Sequence, residues 1–255
     1  MRALITNDDG IDSEGLHILA RVAVAAGLEV TVAAPDAERS GSGTALSALE
    51  ADGRLLVEDR VLPGLPGVRA VAVQASPALI VFVAADGAFG PRPDLVLSGI
   101  NQGPNTGRAV LHSGTVGAAL TAQTHGIPAL AVSLVSVKPT YWDTAATAAA
   151  QALDWFARGA DQPIVANVNV PDVPAEKLRG LRPARLARFG AVQASIGNPG
   201  DGFIPVTFSP PDQEPEPDSD LALVRQGWAT VTALVGPCEG QLPHLPAGAE
   251  SGFVT

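Results

Sequence analysis

One cysteine and four histidines in 255 residues leave little for disulfides or for a soft-metal site. Cys238 has no intrachain partner and is expected to be a buried, inert thiol, which suits a reducing cytoplasm. Charge is also scarce: 16% of residues are charged against 46% hydrophobic, the balance of a compact soluble α/β protein and far from the disordered class. Basic residues number 16 against 26 acidic ones, and the net charge of −10 argues against a nucleic-acid polymer or an anionic membrane as partner. An anionic small substrate would need local help to bind. The opening "MRALITNDDG" leaves no room for the apolar segment of a signal peptide, so export is not expected and a cytoplasmic location is. Ala109 to Val137 lacks Asp, Glu, Lys and Arg over a length that could span a bilayer. Gly114, Gly117, Gly126 and Pro128 interrupt it, and polar side chains run through it, so a soluble helix followed by a buried strand is the better account.

No internal repeat and no clear linker is present, and the pattern predicts one α/β domain over 1–255. Strands and helices alternate through the first 135 residues: strand "ALIT", a helix from about Ser13 to Gly27, strand "EVTVAAP", a polar glycine-rich loop "DAERSGSG", and a hairpin around Asp52-Gly53. Strand "VRAVAV", a helix opened by Ser76-Pro77, strand "LVLS", a helix from Ser113 to Gly126 and strand "IPALAVSL" follow. Ala145 to Phe156 reads as a helix and "PIVANVNVP" as another strand. Such alternation predicts a Rossmann-like, three-layer α/β/α core over 1–171 with a mostly parallel sheet. Residues 172–255 are expected to form a C-terminal arm, used in oligomerisation, with a hairpin and the late strand "WATVTAL". Within it, "PPDQEPEPDSD" reads as a solvated tip.

Ligands of such folds bind outside the carboxyl ends of the strands. Three segments put polar residues there: "TNDDG", "DAERSGSG" and "SGINQGPNTG". Two carboxylates, a hydroxyl and an amide oxygen are hard ligands, which suit magnesium, manganese or calcium rather than zinc. Asp8, Asp9, Ser40 and Asn101 are the candidate metal ligands, and a cation there would offset the repulsion between adjacent carboxylates. Taken alone, Asp8-Asp9 also fits a turn ahead of a helix. A fourth segment, "LHSGTVGAAL", places Ser113, Gly114 and Thr115 where a helix begins, a position whose free N–H groups suit a phosphate. Asn105 offers an amide donor from the preceding loop. A capped helix after a glycine-rich turn fits that segment equally well. His112 could donate a proton to a leaving alkoxide, although a packed or solvent-facing ring is the simpler account, and His17 is expected to be exposed.

Together, "LITNDDGIDSEGL", "VAAPDAERSGSGTALS", "PDLVLSGINQGPNTGRAVLHSGTVGAAL" and "GIPALAVSL" resemble the SurE family of survival-protein phosphatases, which hydrolyse nucleoside monophosphates. The resemblance implies a Rossmann-like fold, one divalent ion (magnesium or manganese) per subunit, and dimers or tetramers with exchanged C-terminal segments. By the same resemblance, Asp8, Asp9, Ser40 and Asn101 match the metal ligands, while Asn105 and the Ser113–Gly114–Thr115 turn match positions near the phosphate. Asn7 and Gly41, on the same loops, join the expected substrate-binding set, and Asp8, Asp9, Asn105 and Ser113 the catalytic set. Three positions depart from the family pattern and bear on nucleotide preference: "ASPALIV", where Leu79 replaces an acid, His112, where the family usually has tyrosine, and "TAQ" at Thr121–Gln123, in place of an acidic-glycine pair.

The expected activity is hydrolysis of a phosphate monoester, with the metal polarising a phosphoryl oxygen and positioning water. Asp9, Asp8 or the metal itself could take the proton of that water. Two alternatives share the pocket: a phosphatase for a specialised-metabolite phosphate, and a nucleotide-binding or regulatory module without turnover. A dinucleotide dehydrogenase is disfavoured, because the first strand runs into "NDDG" and not into a glycine fingerprint.

Overall fold

The structure, a computed structural model, describes residues 1–239 apart from 49, 52, 160–163, 192, 199, 201, 203 and 210–212. In chain order the elements are β1 (Arg2–Thr6), α1 (Glu14–Ala25), β2 (Glu29–Pro35), β3 (Glu50–Ala51), β4 (Arg54–Leu55), β5 (Val57–Arg60), β6 (Arg69–Val73), α2 (Pro77–Ala85), β7 (Leu95–Gln102), α3 (Gly114–Thr124), β8 (Ala129–Val135), α4 (Trp142–Gly159), β9 (Val165–Pro171), β10 (Leu181–Pro183), β11 (Gln193–Ile196), β12 (Val206–Ser209), α5 (Asp220–Arg225) and β13 (Ala229–Leu234). A nine-stranded sheet runs β10-β13-β9-β8-β7-β1-β2-β6-β5. The six strands from β9 to β6 are mutually parallel, while β13 pairs antiparallel with β9 and β5 antiparallel with β6.

Alternation along each strand divides the side chains between two cores. Ile5, Leu97, Leu130, Val132 and Val168 face α1 and α4, which supply Leu16, Leu19, Ala148 and Phe156. Leu4, Val96, Ala131 and Val165 face α2 and α3, which supply Ile80, Val81, Val116 and Ala119. The result is the expected three-layer Rossmann-like α/β/α arrangement, in which strands covered on both faces read as near-continuous apolar runs. The chain moves outward from β1 to β2 and β6, then returns to the other side of β1 as β7. That reversal is the topological switch point of an open α/β sheet, where a crevice opens at the carboxyl ends.

At the end of β7 the register slips. Ser98 faces Ala131 but Asn101 faces Ser133, so Gly99 and Ile100 oppose Val132 alone, as in a β-bulge. Gly99 has φ +129°, and a Cβ on it would lie 2.2 Å from the Val132 carbonyl oxygen, so only glycine fits. The bulge re-aims Asn101 and Gln102 toward the crevice.

The C-terminal third enters the main sheet through β10 and β13, and β11 pairs antiparallel with β12 in a separate hairpin. β3 and β4 flank the expected Asp52-Gly53 turn, with Asp52 itself outside the described residues. Four expectations are corrected. Cys238 is exposed, because it lies past β13 on a strand-free extension. His17 is half-buried, and one ring nitrogen lies 2.9 Å from the Ile11 carbonyl. α4 begins at Trp142, three residues before the expected start, just after a Thr140–Tyr141 segment whose amides donate to the Asp172 carboxylate. In the acidic run, Glu214 and Asp218 are exposed as expected, but Asp220 is fully buried. Among the described residues, no helix is long and apolar enough to cross a membrane.

Candidate active site

β1 ends at Thr6, and the turn that follows is built by Asn7. Its side-chain oxygen accepts from the Gly10 amide at 3.2 Å, and its nitrogen donates to the Gly10 carbonyl at 3.1 Å and to Ser13 Oγ at 2.6 Å. Asn7 is fully buried and its amide is committed inside the loop, so it shapes the turn and does not face the cleft. The Asn7 turn projects Asp8 and Asp9 in different directions.

Asp8 is 4% exposed and turns toward the start of α3. The Thr115 hydroxyl makes a short hydrogen bond to Asp8 Oδ1, and the backbone amides of Gly114 and Thr115 also favour its charged form. Burial outweighs those bonds and pushes the Asp8 carboxyl above its ordinary range. A Cβ on Gly114 would lie 2.8 Å from Asp8 Cβ and Oδ2, so the carboxylate approaches the helix end only because residue 114 is glycine. The open phosphate cradle expected at this helix N-terminus is therefore occupied by the protein's own carboxylate. Ser113 caps α3 by accepting from the Val116 amide at 3.1 Å, which leaves its hydroxyl proton free to donate.

Asn101 comes to the same point from β7. Its amide nitrogen donates to the Gly103 carbonyl at 2.9 Å, and its oxygen lies 3.2 Å from the Thr115 hydroxyl. One hydroxyl thus stands between the side-chain oxygens of Asp8 and Asn101, across the switch point.

Asp9 faces outward and accepts from the Gln102 amide at 3.1 Å. Burial, followed by the charge of Asp8, raises its pKa to about 6, with a smaller push from Glu38. Asp9 and Ser40 both line an open cleft of about 500 Å³, together with Glu38, Gln102, Lys138 and Trp142. The Ser40 hydroxyl donates to Glu38 at 2.7 Å. Gly41 is exposed with open space around its Cα and does not line the cleft. His112 is solvent-facing, at the end of the 3-10 helix Gly107–His112.

Asn105 donates its side-chain amide to Ser133 Oγ at 2.8 Å, which uses one of two hydrogens. Its backbone is clamped by β9: Asn169 accepts from the Asn105 amide at 2.9 Å, and Asn167 and Asn169 both donate to its carbonyl at 2.9 Å. The two asparagines were readable as an i, i+2 pair on a strand otherwise apolar. Ser42 was missed as well. Its hydroxyl is buried with no partner among the described residues, and a Cβ on Gly114 would lie 2.6 Å from it. The departures at 79 and 121–123 lie away from the cleft. Leu79 packs on the α2–α3 core, while Gln123 accepts from the Gly236 amide at 3.0 Å and reaches the Leu234 carbonyl at 3.5 Å, tying down the segment after β13.

The donor set suits a hard cation. Neither Asp8 nor Asp9 forms an ion pair among the described residues, and burial disfavours the charged form of each. No three His, Cys, Asp or Glu side chains cluster as a metal-binding group among the described residues, so amide and hydroxyl oxygens would have to complete any site. Asn101 and Ser40 are such oxygens.

The class of protein these features define is a switch-point α/β fold with paired carboxylates and an amide oxygen gathered at the carboxyl ends of its strands. Its relatives agree in kind. The family model of Survival protein SurE matches residues 3–192. A 5'-nucleotidase SurE of Aeromonas hydrophila subsp. hydrophila is 37% identical over 240 residues, covering 92% of each chain. A 5'/3'-nucleotidase SurE of Serratia proteamaculans is 36% identical over 251 residues, covering 92% of this chain and 90% of its own. The crystal structure of a SurE protein from Aquifex aeolicus superposes with a TM-score of 0.77 at 27% identity, covering 92% of this chain and 93% of that one. The chain belongs to the SurE family.

Proposed function

We propose that this chain is a divalent-metal-dependent phosphomonoesterase acting on nucleoside 5'- or 3'-monophosphates. The observation that carries the reading is the meeting of Asp8 and Asn101 at the Thr115 hydroxyl, beside a cleft lined by Asp9 and Ser40. The nucleotidase names of relatives covering 92% of the chain support it. Asp8, Asp9, Asn101 and Ser40 are the side chains that would hold magnesium or manganese. When bound, such an ion supplies a Lewis acid for a phosphoryl oxygen and a more acidic water.

The remaining groups act through hydrogen bonds. Ser113, the N-cap of α3, has a hydroxyl proton with no acceptor among the described residues, and Asn105, held against β8 and β9, has a second amide hydrogen; these would donate to phosphoryl oxygens as charge grows on them. Thr115 and the amides of Gly114 and Thr115 hold the Asp8 carboxylate in one orientation. Gln102 does the same for Asp9.

Phosphate release from AMP, GMP, CMP and several non-nucleotide monoesters, with and without chelator, tests the reading. Release from the nucleotides that stops with chelator and returns with manganese or magnesium is the expected result. Release unaffected by chelator would refute the metal assignment. Faster release from non-nucleotide esters would favour a specialised-metabolite substrate, and no release from any ester a binding module.

The C-terminal third serves oligomerisation in this reading, giving a homodimer or homotetramer. Ile196, Ile204 and Val206, at 74%, 61% and 50% exposure, leave the β11–β12 region with apolar surface to cover. Sedimentation equilibrium should report a mass of two or four chains, and a monomer would exclude this role.

A further inference from the structure

The cleft beside Asp9 contains more than the oxygen donors require. At about 500 Å³ it is of the size that holds a small organic ligand, far larger than a phosphate ion needs. Its lining divides chemically into an oxygen-bearing part, with Asp9, Glu38 and Ser40, and a flat apolar part formed by Trp142 and Pro139. Trp142 is the only aromatic side chain in that lining among the described residues.

The indole rests against α1, and the backbone segment that leads to it is anchored at two points. Asp172 accepts from the amides of Thr140 at 3.0 Å and Tyr141 at 2.8 Å, which anchors the segment immediately before α4, at whose first residue Trp142 sits. Gln102 donates its side-chain amide to the Val137 carbonyl at 2.8 Å, while its own backbone amide holds Asp9. A Cβ on Gly15 would lie 3.1 Å from Trp142 Cζ3, so the ring rests against the backbone of α1. The ring therefore springs from an anchored segment and packs on α1, and Gln102 ties the loop that leads to it to a candidate metal ligand.

We propose that Trp142 is the platform on which the nucleobase of the substrate stacks, an inference that rests on the nucleotidase reading above. A base offers a π-face to an indole whatever its hydrogen-bonding edge, so this platform selects for a flat neutral ring without choosing strongly among the four bases. The acidic rim sharpens that choice. Glu14 and Glu38 line the same cleft with one basic residue, Lys138, and disfavour a second anionic group where the base lies. The favoured substrate class is a monophosphate ester carrying a neutral aromatic ring.

Two arms test the platform. In the kinetic arm, Trp142→Ala should raise KM for AMP and GMP about tenfold, as expected for a lost stacking contact. It should leave kcat unchanged and leave KM for ribose 5-phosphate, which has no base, at its original value. Trp142→Phe, which keeps a ring against Gly15, should restore most of the affinity and controls for misfolding. Equal KM changes on nucleotide and ribose phosphate, or none on either, would overturn the proposal. In the binding arm, Trp155→Phe with Trp228→Phe leaves Trp142 as the sole emitter, and guanosine should quench it. Absence of quenching overturns the platform even if nucleotides are hydrolysed. Quenching in a protein that hydrolyses no phosphate ester supports the platform and refutes only the phosphatase reading.

Discussion

Asp8→Asn should lower kcat on nucleoside monophosphates by about 10³-fold, with the fold intact. The substitution changes neither side-chain size nor the Thr115 contact, since an amide oxygen still accepts that hydroxyl. What it removes is charge, with one acceptor for the Gly114 and Thr115 amides, at a pair of adjacent carboxylates that forms no ion pair among the described residues. A dication is held there by that charge, so the variant should need far more manganese or magnesium for the same occupancy. Full activity at saturating metal would show that Asp8 is not a ligand.

Stability should respond in the opposite sense to activity, and the sign follows from the pKa shifts. Asp9 titrates near 6 in the folded protein against an ordinary value of 3.8, and burial raises Asp8 as well. A carboxylate whose folded pKa is raised binds more protons folded than unfolded between those values. Stability is then fully present below about pH 4 and is lost as pH rises through the folded pKa. Metal-free protein should therefore melt at progressively lower temperature from about pH 4 to pH 7 on account of these two groups. Asp8→Asn removes one buried charge and should flatten that slope, and added manganese should raise Tm most at the upper end. A metal-free wild-type slope no steeper than that of the variant would contradict the burial described for Asp8.

How much of this was legible in the residues depends on the kind of information each part carries. The parallel core was legible because covered strands such as "LVLS" and "ALAV" must be apolar on both faces, and because Ser76-Pro77 and Ser113 mark helix starts chemically. The placement of Asp8, Asp9 and Asn101 was legible because strand ends in this architecture converge. The direction of each side chain was not. That Asp8 turns into the helix end while Asp9 turns to the cleft depends on the three-bond Asn7 turn and on the missing Cβ of Gly114. The bulge at Gly99–Ile100 went unread because the expected strand "LVLS" stopped at Ser98, one residue short of the glycine that marks it. Asn167 and Asn169 were passed over inside an apolar strand, although their buried side-chain NH₂ groups need acceptors and find one in the Asn105 carbonyl.

Asp220 is the other residue whose loss should be severe, and it lies in the part of the chain that was read as a solvated tip. Its Oδ1 accepts from the amides of Ala187 at 3.0 Å and Leu221 at 2.7 Å, and its Oδ2 from the amide of Gly107 at 2.8 Å. A Cβ on Gly107 would lie 1.8 Å from the Phe189 carbonyl oxygen, so the C-terminal segment presses directly on the loop that leads from Asn105 to Ser113. Asp220→Ala orphans three buried amides. Part of their bond energy is already offset, because burial pushes the Asp220 carboxyl above its ordinary range against the pull of those same amides. The net loss should still be about 3 kcal/mol in chemical denaturation. Asp220→Asn separates anchoring from folding. Its remaining oxygen can keep Ala187 and Leu221, but its NH₂ group cannot accept from Gly107, so the loop is released while the C-terminal contacts persist. That variant should lose about 1–2 kcal/mol of stability and yet lose activity out of proportion, with kcat reduced more than metal affinity. If Asp220→Asn kept wild-type kcat, the C-terminal segment would be a passive cover, and the placement of Asn105 and Ser113 would have to come from β9 and α3 alone.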